Sequence, residues 1–197
     1  TLGCVEIDKA TADKMPLCTD KVRYIGDEIL GIAATSERIA QQACNLVKIE
    51  YEVLPAYFTP QEAMAGDVPI HENVGEQYNV IEKGDVDKAF AEAAYTDKHV
   101  YQTQRISHSA IEPHACIATY ENGEYTIYTS TQSVYLCQYW LARALGVPEG
   151  KVRAIKPRVG GGFGGKLDVF PHEAVCCKLA EKTGRPVKMV LTREEVF

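Results

Sequence analysis

The 197-residue chain has no run of about 18 apolar residues, so no segment reads as a membrane-spanning helix. Basic residues are too few for a nucleic-acid face. Lys and Arg number 21 against 27 Asp and Glu, a net charge of −6, where a phosphate backbone demands a basic stripe. None of the seven cysteines (Cys4, Cys18, Cys44, Cys116, Cys137, Cys176 and Cys177) is spaced as CxxC. That excludes a zinc ribbon or an iron–sulfur site of usual spacing and predicts free, mostly buried thiols in a reducing cytoplasm. The first 15 residues carry Glu6, Asp8, Lys9, Asp13 and Lys14 with no apolar core, so no signal peptide is expected. Internal repeats and low-complexity tracts are also lacking. The chain opens on Thr1 and closes on Phe197 in mid-pattern, and it reads as part of something longer.

Glycine is concentrated instead of scarce. Five of the nine residues from Arg158 to Lys166 are glycine, in a chain with 15 in all. Such a run reaches otherwise forbidden dihedrals and lets backbone amides approach an anionic or oxygen-rich ligand. Phe163 is the one bulky residue inside it, which a purely flexible loop would not need. The run reads as a ligand cradle with Phe163 covering one side.

Periodicity predicts strands around Val22–Tyr24 and Ile29–Ala33 joined by a turn at Gly26-Asp27, then a helix capped by Thr35-Ser36, then a strand over 49–53. Residues 59–82, punctuated by Pro60, Gly66, Pro69 and Gly75, read as a connector with a short helix near Gln61–Ala65. Beyond it come a helix after Gly84-Asp85, a long alternating strand over 95–107, and a hairpin around Asn122-Gly123. Ser133 caps a helix that Gly146 stops, and a short strand at Val152–Ile155 delivers the chain into the glycine run. A helix from Pro171 to Thr183-Gly184, a strand at 187–191 and a capping box at Thr192 and Glu195 complete the pattern. The fold class is α+β.

Spacing alone leaves the glycine run open. Gly160 and Gly165-Lys166 match a Walker loop, but Leu167 stands where its magnesium-binding hydroxyl belongs. The dinucleotide fingerprint fits loosely, yet an acidic residue about 20 positions on, after a second strand, is missing: Glu181 lies near a helix end instead. A purely structural turn remains open. In Glu112-Pro113-His114, proline pushes Glu112 out of helical conformation, so Glu112 and His114 read either as site-shaping hydrogen-bonders or as an ordinary turn into a strand. Thr131-Gln132 lies at a strand-to-helix turn, where α/β ligands commonly bind, or is a plain polar cap.

In combination these segments are specific. Val22–Glu28, Ile49–Pro55, Glu112-Pro113-His114, Thr131-Gln132, Val159–Lys166, Thr183–Lys188 and Leu191–Glu195 occur in an order and at intervals that resemble the molybdopterin-binding large subunit of the xanthine dehydrogenase and aldehyde oxidase family. The resemblance implies that residues 1–58 end a small α/β hammerhead domain, 59–82 connect, and 83–197 begin the first molybdopterin-binding domain, incomplete at both ends. It implies molybdenum-molybdopterin as cofactor, its cytosine dinucleotide form included, held by Gln132, Gly161, Gly162, Phe163, Gly164 and Gly165. Gln132 and Phe163 would lie beside the molybdenum without ligating it. Partner subunits or domains would carry iron–sulfur clusters and FAD. The general-base glutamate is expected beyond Phe197, so no catalytic residue is assigned here.

Glu112 and Leu167 are the expected substrate-pocket residues. Purine-oxidising members of the family carry glutamate after the motif's lysine, where this chain has Leu167. A purine would lose a polar anchor worth roughly 1–3 kcal/mol, so an aromatic, heterocyclic, aldehyde or acyl-CoA substrate is expected instead. The stretch Lys166–Glu173 looks like the 4-hydroxybenzoyl-CoA reductase branch. A non-catalytic fragment that keeps the fold, and a nucleotide-binding protein, are the competing readings.

Overall fold

A computed structural model describes residues 15–71, 81 and 83–197. Its core is a four-stranded sheet covered on one face by two helices. Strands β1 (Ala115–Glu121) and β2 (Glu124–Thr129) form the expected hairpin, with Asn122 and Gly123 both at positive φ in the turn. β3 (Val152–Ile155) lies parallel to β2, and β4 (Val187–Val190) lies antiparallel to β1, giving the order β3-β2-β1-β4.

Alternation sets the faces. Cys116, Ala118, Tyr125, Ile127 and Thr129 point inward and are buried, whereas Ile117 and Tyr128 point outward and are about 40% exposed. The inner face packs against Cys137, Leu141 and Leu145 of α4 (Val134–Leu145) and Cys176, Cys177 and Ala180 of α5 (Pro171–Thr183). Both helices have the expected punctuation. Ser133 Oγ accepts from the Leu136 amide and left-handed Gly146 ends α4, while Pro171 opens α5 and left-handed Gly184 ends it.

Ahead of the sheet lie three short helices: α1 (Glu37–Cys44), α2 (Pro60–Ala65) and α3 (Val86–Glu92). α6 (Arg193–Val196) follows β4 behind the Thr192–Glu195 capping box.

Two expectations fail here. The segments 22–24, 29–33 and 49–53 join no ladder, and the long strand expected over 95–107 is likewise unpaired. Residues 29–33 are half-buried, with Gly31 against Val175 and Leu179 of α5, whereas Val53, Val100 and Tyr101 are near 90% exposed. A strand exists only against a partner in register, and among the described residues none presents one. Gly75 of the connector lies outside the described residues.

Glu173 is the most unusual core residue. It is 2% exposed, and its carboxylate accepts from Thr129 Oγ1, from the Phe170 amide at 2.9 Å and from the Cys137 thiol at 3.8 Å. These bonds tie the start of α5 to the end of β2 and to α4. Burial pushes its pKa up from 4.5 to about 7, only partly offset by those donors.

Because the folded state holds Glu173's proton more tightly than the unfolded state, stability is greatest below the unfolded value and falls as pH rises from 4.5 towards 7. The loss is on the order of 3 kcal/mol. Glu173→Gln in the intact subunit should flatten this slope. Equal pH dependence in the two proteins would refute the assignment. The core thiols allow a second test. Cys116, Cys137, Cys176 and Cys177 are buried whereas Cys44 is exposed, and burial raises the pKa of the Cys137 and Cys177 thiols. Brief native alkylation should therefore label Cys44 and spare those four, as peptide mass spectrometry would show.

Candidate functional site

Because β2 and β3 run parallel and adjacent, both release the chain at one edge of the sheet. β2 delivers Ser130–Ser133 into α4, and β3 delivers 156–166 into the glycine turn. Gln132 lies where the two meet. Its amide donates to the Lys166 carbonyl at 2.7 Å, and its side-chain Oε1 accepts from Gly164 N at 2.9 Å and Lys166 N at 3.2 Å. Thr131, 2% exposed, donates from Oγ1 to the same Lys166 carbonyl at 3.3 Å. The far side of the turn thus wraps around one amide oxygen. With Oε1 spent, the end that remains is Nε2, a donor only, and it bonds no other described residue.

The glycines are needed for two different reasons. Gly161 and Gly164 adopt φ of 99° and 93°. At Gly162 an added Cβ would collide with the Gln132 carboxamide, and at Gly165 it would lie 2.8 Å from the His108 ring. Phe163 is left-handed at φ 55°, a conformation costing a side-chain-bearing residue roughly 1–2 kcal/mol. Its ring folds back over Gly161 and stays 74% exposed.

The amides divide cleanly. Those of Gly160, Gly164, Gly165, Lys166 and Leu167 are bonded within the protein. The amides of Gly161, Gly162 and Phe163 bond no other described residue. Three consecutive free N–H groups, with Gly161 and Phe163 at positive φ on either side of Gly162, form an anion-receptive concavity.

Glu112 lines the same cavity as Leu167 and is also bonded to the turn. Its Oε2 accepts from Gly160 N at 2.9 Å and from Lys166 Nζ at 2.7 Å, so its charge is spent on the turn. Burial opposes its ionisation, yet the Lys166 ammonium and the Gly160 amide outweigh burial and hold the carboxyl below its usual range. His114 sets its ring edge-on to Phe170 at 4.3 Å and lines the cavity beside the glycine run. Leu167, 46% exposed, joins His108, Trp140, Lys166 and Phe170 around a cavity of about 520 Å³. Gln132 and Phe163 do not line that cavity.

His108 and the Lys166 side chain belong to the site without being marked by any motif. His108 sits in Ser107-His108-Ser109, where Ser109 is left-handed at φ 52°, and no spacing rule singles it out. Lys166 is legible in the sequence only as the end of the glycine run; its 2% exposure needs the fold. Among the described residues no group of three or more His, Cys, Asp or Glu is placed to hold a metal, and no helix is long and apolar enough to cross a membrane.

Comparison with known proteins accounts for this architecture. The "Molybdopterin cofactor-binding domain" family model matches residues 70–197, and the "Aldehyde oxidase and xanthine dehydrogenase, a/b hammerhead domain" model matches residues 4–55. The nicotinate dehydrogenase large molybdopterin subunit of Eubacterium barkeri is 40% identical, over 93% of this chain and 44% of its own. The xanthine dehydrogenase molybdenum-binding subunit of Escherichia coli O157:H7 is 37% identical, over 98% of this chain and 26% of its own. Among solved structures, the aldehyde oxidoreductase of Desulfovibrio gigas superposes with a TM-score of 0.82 at 30% identity, covering 91% of this chain and 20% of that one. The chain therefore spans less than half the length of these relatives. With the cofactor-binding model matching more than half of its residues, the chain belongs to the molybdopterin-binding subunits of the xanthine dehydrogenase and aldehyde oxidase family, which are molybdenum-dependent oxidoreductases.

Proposed function

We propose that the glycine turn cradles molybdopterin in a molybdenum hydroxylase, with residues 1–58 ending the hammerhead unit, 59–82 connecting, and 83–197 opening the cofactor-binding unit. One observation carries this reading: the free amides of Gly161, Gly162 and Phe163 lie in the same turn that the Gln132 carboxamide holds in place. The residues present fit the group. An anionic pterin asks for donors without side chains in the way, and the turn offers them. The one carboxylate against the turn, Glu112, is neutralised by Lys166. As the family resemblance implies, molybdenum would be held by the cofactor's own sulfurs and terminal ligands.

When bound, the cofactor supplies the two-electron redox chemistry. This chain's part is to bind and orient it. Gln132 would offer Nε2–H to the bound cofactor, Phe163 would cover one side of the site, and the amides of Gly161, Gly162 and Phe163, unlike those of Gly164 and Gly165, would be available to its acceptor atoms. The general base belongs to the remainder of the subunit. Iron–sulfur and FAD subunits in the cytoplasm would take up the electrons, and the cofactor is read as the cytosine dinucleotide form. Support for a multisubunit setting comes from relatives named as subunits of dehydrogenase complexes.

Leu167 bounds the substrate. Half exposed on the cavity wall, it offers packing and no hydrogen bond, which suits a non-purine aromatic or N-heteroaromatic ring. The nicotinate dehydrogenase relative and the structural neighbour quinoline 2-oxidoreductase are in keeping with such a ring. The first of these is named a dehydrogenase and the second an oxidoreductase, which suits substrate hydroxylation as the proposed direction. Reductive dehydroxylation of an aromatic acyl-CoA, as in the 4-hydroxybenzoyl-CoA reductase branch, has no observation in its favour.

Metal and pterin analysis of the intact complex tests the proposal. Molybdenum with a pterin dinucleotide is the expected result, and bound ADP or NAD in its place would overturn it. In that complex Gln132→Ala should lower turnover roughly 10- to 100-fold with the fold retained, although it leaves the Gly164 and Lys166 amides unpaired; unaltered turnover would remove Gln132 from the site. Gly162→Ala should act in the same direction, because its methyl group displaces the Gln132 carboxamide, and should also lower stability by about 1–3 kcal/mol. Calorimetry together with molybdenum content would separate the two effects.

A further inference from the structure

Glu112 and Lys166 meet at one atom. Glu112 Oε2 accepts from the amide of the first glycine, Gly160, at 2.9 Å and from the ammonium of the residue that ends the run, Lys166, at 2.7 Å. The Glu112 amide returns a bond to the Gly160 carbonyl at 3.2 Å. Lys166 is held in turn at its amide by Gln132 Oε1, and at its carbonyl by the Gln132 amide and Thr131 Oγ1. The two ends of the turn are therefore stapled to each other through a carboxylate 54 residues away from the lysine, and Gln132 is fastened to the same staple. Everything between the ends, including the three free amides, hangs on a chord of fixed length.

We infer that Glu112 and Lys166 are a positioning pair, which closes the glycine turn into a rigid ring and keeps it receptive to an anionic cofactor. Two physical consequences distinguish this from a generic buried ion pair. Ring closure means that losing the pair loosens residues 160–166 while leaving the sheet and its helices in place, since neither side chain belongs to the apolar core. Charge cancellation makes the two halves unequal. Without the ammonium, a carboxylate on the turn would repel the anion; without the carboxylate, a cation would remain and attract it. A pair serving only to hold the fold would give no such asymmetry.

The inference rests on the cofactor reading above, and the experiment separates the two. Glu112→Gln, Lys166→Met and the double variant are made in the full-length subunit within its complex. Three quantities are read: thermal midpoint, hydrogen exchange of peptides covering 160–166 in cofactor-free protein, and molybdenum per subunit. The double variant leaves no unpaired buried charge and should keep a midpoint near wild type. Its loop amides should exchange roughly 10- to 100-fold faster, the factor expected for losing a charge-assisted hydrogen bond. Lys166→Met should retain less molybdenum than Glu112→Gln. Wild-type exchange in the double variant, or molybdenum losses that simply follow the midpoint, would overturn the inference. So would failure of all three variants to fold, because the pair would then be a contact on which folding depends. A wild-type complex without molybdopterin would instead sink the cofactor reading, while loop exchange would still decide the role of the pair.

Discussion

The site depends on a single carbonyl oxygen. Gln132 Oε1 accepts two amides from the far side of the glycine turn, at 2.9 and 3.2 Å. Glycine-rich backbone is expensive to order, having more conformational freedom to lose than any other. Something must fix it, and fixing it with a neighbouring side chain that has a second polar end does two things at once. The oxygen shapes the turn, and the amide nitrogen is left aimed away from it. A serine or threonine at this position could offer an acceptor, but it is too short to span two amides and still keep a donor free.

That arrangement is anchored in the core by polar residues that are fully paired. Thr129 and Thr131 flank Ser130 on the inner end of β2, each about 2% exposed. Thr129 bonds Glu173 at the start of α5, and Thr131 bonds the Lys166 carbonyl in the glycine turn. The edge of the sheet is therefore braced in two directions within three residues. Apolar residues there would pack as well but would not fix direction, whereas a satisfied polar network favours one geometry. The cost falls on Glu173, whose burial makes it a carboxyl group that holds its proton near neutrality.

What can be read from sequence is whatever depends on near neighbours. The Asn122-Gly123 hairpin, the Ser133 and Thr192 caps, the Gly146 and Gly184 stops and Pro171 at a helix start are all signals within a few residues, and each holds in the structure. The strands expected at 22–24, 29–33, 49–53 and 95–107 have equally clear alternation, yet pairing is a property of two segments and alternation describes one. The same distinction governs the site. Gln132 and the glycines are legible as a motif. The Glu112–Lys166 pair, 54 residues apart, and the contact of His108 with Gly165 are not, because no local spacing encodes either. Glu112 shows the consequence: its turn marks it as a pocket residue and it does line the cavity, but its bond to Lys166 is visible only in the fold.

The glycine turn also separates two kinds of specificity. Its backbone, through the amides of Gly161, Gly162 and Phe163, can recognise only charge and shape, which a shared cofactor supplies whatever is oxidised. Leu167 lies on the cavity wall with His108 and Trp140, and Gly162, Gly164 and Gly165 of the turn border the same cavity through their backbone. A substitution at residue 167 can therefore alter what enters the cavity without moving any amide that receives the cofactor, since the Leu167 amide bonds the Gly164 carbonyl whatever its side chain. A fold arranged in this way keeps cofactor binding in the backbone and leaves substrate choice to replaceable side chains, which is the condition under which one scaffold can serve many substrates.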